Sequence, residues 1–119
     1  MSYDGSGNFQ NSVSATLGAG PLNDLSFGTI PNFRSGSTNR LFLTPASGGT
    51  TINSLDASGV SDGYTMLLVN PSTTDNLVFT HQGGGISTNQ FQNANAGSVA
   101  IPPLGAARCT YVVNKWKFA

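Results

Sequence analysis

The chain contains no glutamate. Its 119 residues include one cysteine, one histidine and one tryptophan, and only 8% of them are charged. Each shortage excludes something. A single cysteine, Cys109, rules out an intrachain disulfide. One histidine, His81, and five aspartates that stand apart give no metal-ligand spacing and no acid–base pair. No enzyme and no cofactor are expected. The five basic residues, Arg34, Arg40, Arg108, Lys115 and Lys117, balance the aspartates to a formal net charge of zero and form no basic patch. Nucleic acid is therefore not expected as a partner. No apolar run approaches the length of a membrane span, so no membrane partner is expected either. The N-terminus lacks the basic and apolar regions of a signal peptide, which points to synthesis in a cytoplasm without an export address.

Small polar residues fill the space. Glycine occurs 15 times, and serine, threonine and asparagine are each nearly as common. Glycine loses the most backbone entropy in a helix, and the other three draw the backbone into turns. The composition predicts an all-β fold of short strands and tight turns, built as one domain.

Residues 1–23 are small and polar, and they read as a flexible or partner-ordered N-terminal arm. Tyr3, Phe9, Val13 and Leu17 are its candidate anchors on a partner, because isolated apolar side chains in such a context gain most from burial at an interface. Residues 24–119 read as the β-domain. Leu25, Phe27 and Ile30 suggest a first strand, and Arg40–Thr44 and Thr50–Leu55 two more. Tyr64–Asn70 is apolar on both alternate sets, as a covered central strand would be. It and Asn76–His81 read as an antiparallel hairpin across the turn PSTTD. Ser98–Ile101, Ala107–Val113 and Lys115–Phe118 follow. About seven to nine strands at such spacing predict an antiparallel β-sandwich or partial barrel.

Gly83-Gly84-Gly85 lacks the helix and the Lys-Ser/Thr pair of a phosphate cradle, and reads as a flexible loop. Cys109 shares a face with Tyr111 and Val113, which predicts a buried, inert thiol. His81 is expected to pack at a strand end and bond a loop carbonyl. Tyr111, Trp116 and Phe118 alternate as core residues do. An exposed sugar-stacking platform is the competing reading.

The segment 62–118 carries an ordered set of residues: Asp62-Gly63, Leu67, Val69 and Asn70, then Asn76, Leu77, Phe79 and His81, then Asn89 and Phe91, then Pro102-Pro103, Tyr111 and Trp116. This set resembles a small β-domain of tailed-bacteriophage virion proteins, found in capsid decoration proteins and in tail fibres. The resemblance covers about half of the chain. It implies a capsid decoration (cement) protein on the outer surface of the virion, made in the host bacterial cytoplasm. Its partners would be the major capsid protein and further copies of itself in a homotrimer. The alternative is a receptor-binding module of a tail fibre or spike. That reading expects Asn89, Gln90 and Asn93 of the 82–97 loop to contact a host surface glycan.

Overall fold

Alternating apolar and polar residues set the strands, and the bonds between strands decide the architecture. The computed structural model describes the backbone of residues 2–3 and 9–10 and the whole of residues 12–118. Its strands are β1 (Ser2–Tyr3), β2 (Phe9–Gln10), β3 (Ser12–Thr16), β4 (Arg40–Thr44), β5 (Thr50–Ile52), β6 (Thr65–Val69), β7 (Leu77–Phe79), β8 (Val99–Ile101), β9 (Ala106–Val112) and β10 (Lys115–Phe118). One turn of 3-10 helix, Ser87–Asn89, is the only helical element among the described residues. The fold is nearly all β. One sheet has the order β10-β9-β6-β4-β3, a second the order β5-β7-β8, and β1 pairs with β2. The two larger sheets feed one core and are compatible with a sandwich; neither closes into a barrel.

The pairing is mixed, not antiparallel as expected. β3, β4 and β6 run parallel, as do β5 and β7. The chain crosses between the sheets and returns one strand further along, winding a parallel coil of three turns. Ser12 lies opposite Arg40, and Arg40 opposite Leu67, so the two turns take up nearly equal lengths of chain. On the other sheet Leu22 bridges Ile52, Leu25 bridges Leu55, and Ile52 lies opposite Phe79. Inward residues stack from turn to turn: Val13, Leu41 and Leu68 on one sheet, Leu22, Ile52 and Phe79 on the other. All but the half-buried Leu22 are buried.

The expected hairpin between Tyr64–Asn70 and Asn76–His81 is therefore absent. β6 pairs with β4 and β9, while β7 belongs to the other sheet. Building both sheets of a coil requires successive strands to alternate between them, and this overrides the preference of chain neighbours to pair. The expected strand over Leu25, Phe27 and Ile30 is reduced to a bridge at Leu25 followed by turns. Phe27 is exposed, with the Arg34 guanidinium 4.3 Å over its ring. The boundary expected at residue 23 falls inside the fold. Val13 and Leu17, expected as partner anchors, are buried in the core, because residues 12–25 form the first turn of the coil. The side chains of Tyr3 and Phe9 lie outside the described residues.

Beside the apolar stacks runs a polar one. Asn53 Nδ2 donates to Asn23 Oδ1 at 2.7 Å, and Thr80 Oγ1 donates to Asn53 Oδ1 at 2.7 Å. The three rungs stand 30 and 27 positions apart in the chain, one to each turn. One position on, Asp24 N–H donates to Ser54 Oγ at 2.6 Å, and Ser54 Oγ donates to Asp24 Oδ1 at 3.1 Å. The Gly83–Gly85 segment is a strap over this ladder, not a flexible loop. A Cβ on Gly83 would stand 2.3 Å from Thr80 Oγ1, and one on Gly85 2.1 Å from Ser54 Oγ, where φ is also +84°.

The far end of the coil is sealed. β8 pairs antiparallel with β7, and β9 with β6. β9 and β10 form a hairpin whose two turn residues, Val113 and Asn114, both have positive φ, the type I′ geometry that matches strand twist. Trp116 is fully buried there, and its Nε1 donates to Leu55 O at 2.8 Å.

Substitutions at the strap and the ladder test this account, read by Trp116 fluorescence during urea unfolding. Gly85→Ala should lower the midpoint sharply. Gly28→Ala, where a Cβ meets nothing nearer than 4.0 Å, should leave stability within roughly 0.5 kcal/mol of the parent. Asn53→Ala should cost about 1–3 kcal/mol, because it strips a partner from both Asn23 and Thr80.

Candidate functional site

The 82–97 segment is anchored where the coil meets the last hairpin. Gln82 N–H donates to Phe91 O at 2.9 Å, and Gln92 N–H to Trp116 O at 2.8 Å. His81 follows β7 at the strand end, as expected. Its Nδ1 accepts the Asn93 N–H at 2.9 Å, so it takes a backbone proton instead of bonding a carbonyl. With Nδ1 accepting, the ring N–H available to other partners is the one at Nε2. Asn93 Nδ2 donates to Phe79 O at 3.1 Å and to Gly97 O at 2.8 Å, holding the 93–97 turn against β7.

This folding leaves a groove of about 410 Å³ bordered by His81, Gln92, Asn93, Ala94, Ala96, Lys117 and Phe118. A second hollow of about 320 Å³ adjoins it, sharing Asn93, Ala94 and Phe118 and adding Asn95, Gly97, Ser98 and Val99. The Phe118 ring is stacked on Phe91, with centroids 5.5 Å apart and planes at 19°, and tilted against Phe79 at 5.3 Å. It is half-buried, and its remaining surface borders both hollows. Tyr111 and Trp116, the other two residues of the aromatic reading, are core.

Of the three residues expected to contact a glycan, only Asn93 borders the groove. Asn89 is buried. Its Oδ1 accepts Ala57 N–H at 2.9 Å and its Nδ2 donates to Asp24 at 3.0 Å. Gln90 Nε2 donates to Gly84 O and its Oε1 accepts from Lys115 Nζ, both at 3.4 Å. The groove adds His81, Gln92 and Lys117, which sequence reasoning does not bring together. They come from different segments, and only the docking of the loop on β10 joins them.

Away from the groove, Asp24 is the most heavily bonded carboxylate among the described residues. Burial pushes its pKa up, but Ile86 N–H at 2.9 Å, Asn89 Nδ2 and Ser54 Oγ outweigh that and hold it below its ordinary value of 3.8. A carboxyl lowered on folding adds stability above its unfolded pKa, and that stability is lost as pH falls through the folded one. The parent chain should therefore lose stability progressively below about pH 4. Asp24→Asn should be weaker at pH 7 and show a flatter decline in acid, measured as urea midpoints across that range.

Cys109 is fully buried, and burial pushes its thiol up to about 12. It should resist a thiol-labelling reagent in the native protein and react once the chain is unfolded. Among the described residues no group of three or more His, Cys or Asp side chains could hold a metal ion. In comparison with known proteins, no family model, no curated protein and no solved structure matches the chain.

Proposed function

We propose that the chain is a structural protein of a bacteriophage virion, a capsid decoration protein that bridges neighbouring major capsid proteins as a homotrimer on the outer shell. The observation that carries this reading is the open first turn of the coil. β3 lies at the edge of its sheet, paired on one side only among the described residues. Its exposed residues are Ser12, Ser14 and Thr16, and it holds no proline, no charge and no bulge. Such an edge lacks the devices by which monomers repel an added strand. An extended segment of a shell protein would dock there by main-chain bonds. Residues 1–11 lead directly into this edge in sequence, so Tyr3 and Phe9 remain candidate anchors.

The resemblance supports the same reading, because its residues are occupied in holding the fold. Asn70 Nδ2 ties Asp75 O to Ile101 O, Asn89 caps Ala57, Phe91 and Trp116 fill the core, and Tyr111 OH bonds Thr88 O. A chain that spends its distinctive side chains on rigidity works through the surface it presents. Each docked copy stabilises the shell by mass action, and trimers add avidity.

Locating the protein on purified particles tests the proposal. Copies should match the number of shell sites, and Ser14→Lys should reduce shell occupancy while leaving unfolding unchanged. A copy number as low as that of tail fibres would sink it. A second reading, a module that recognises a surface glycan, is favoured by the groove beside Phe118.

A further inference from the structure

We infer that the groove beside Phe118 binds an acidic sugar, a pyranose carrying a carboxylate. This deepens the glycan reading and rests on it. Four observations converge. Phe118 is a rigid platform, backed by Phe91 and braced by Phe79, with its free surface bordering both hollows. An aromatic surface of this kind suits the apolar C–H face of a sugar ring. His81 has its tautomer set by Asn93 N–H, so Nε2–H is the donor left for a ligand. Lys117 borders the groove, its ammonium has no hydrogen-bond or ion-pair partner among the described residues, and it faces no carboxylate in either lining. The cation therefore awaits an anion, and a carboxylate meets it in a charge-assisted bond.

The fourth observation is Asn93. It is only 5% exposed, both bonds of its Nδ2 are committed, and its Oδ1 has no partner. An acceptor left unpaired at this depth is costly to the free protein. The oxygen itself is closed to solvent, so a ligand hydroxyl reaches it only through a small shift of the 93–97 turn that Asn93 Nδ2 now holds. The carboxamides of Gln92 and Asn95 add neutral donors and acceptors along the rim. Aromatic face, amides and one unpaired cation together describe a sugar acid better than a neutral hexose or a bare anion.

The test titrates the full chain, followed by backbone amide shifts, with methyl glycosides of glucuronic, galacturonic and N-acetylneuraminic acid. Methyl glucoside, methyl galactoside and inorganic phosphate are the comparison ligands. At least one acidic glycoside should shift His81, Gln92, Asn93, Lys117 and Phe118. Lys117→Gln should weaken it by about tenfold towards the level of the neutral sugar. Phe118→Leu, which keeps apolar volume but removes the ring face, should abolish binding of acidic and neutral sugars while unfolding stays cooperative. Neutral sugars binding as well as acidic ones would overturn the inference and leave the glycan reading standing. No sugar shifting these residues would sink both. Phosphate binding that survives Phe118→Leu, with no preference for a sugar acid, would mark the site as a plain anion contact and overturn the inference.

Discussion

The contact on which the rest of the molecule depends is the side-chain amide of Asn53, which bonds upward to Asn23 and downward to Thr80. Parallel strands from successive turns slide past one another easily when their inward residues are all aliphatic. A directional bond from each turn to the next removes that freedom and fixes the register. With the register set, Val13, Leu41 and Leu68 fall on one line and Leu22, Ile52 and Phe79 on another. The triglycine strap then lies on the ladder at a distance no side chain would permit, and Asp24 fastens the loop beyond it through Ile86 and Asn89. A chain with few charges and a modest apolar fraction thus obtains its rigidity from carboxamides and hydroxyls, which its composition supplies in quantity.

The groove follows from a change of topology. Up to β7 the chain winds forward; from β8 it turns back and closes the sheets antiparallel. The segment between them has to cross from the end of one sheet to the last hairpin. It does so pinned at His81 and at Trp116 O, leaving a recess against Phe118. The recess and the open β3 edge are separate features, formed by different segments of the chain. One is a recess lined by polar side chains and an aromatic ring, the other a strand edge whose main chain is paired on one side only among the described residues.

Strand positions are legible in the sequence because alternation is local. Arg40–Thr44 reads at its full extent, and Met66 and Leu68 fall on one face, where both are buried. Cys109 and Tyr111 point inward for the same reason. Pairing is not legible, because the rule that neighbours form hairpins holds for meanders and fails for coils. A signal for the coil is nevertheless present. Leu22-Asn23-Asp24-Leu25 and Ile52-Asn53-Ser54-Leu55 repeat the pattern apolar, asparagine, small polar, leucine one turn apart. Residues such as Asn89 mislead, since an asparagine in a polar loop looks available until its burial is known. Val13 and Leu17 mislead because glycine and serine around a short strand imitate a disordered tail.

The turns of the coil are related by a shift along a single axis. Nothing in such a relation dictates how many there must be. The sealed end is specific, whereas the start is simply the place where winding begins. Between them, a further length of chain carrying the same quartet could be inserted as another storey, and neither the recess at Phe118 nor the edge strand β3 would need redesign. The fold therefore carries within it a ruler: its height can be changed in steps while its two ends stay the same.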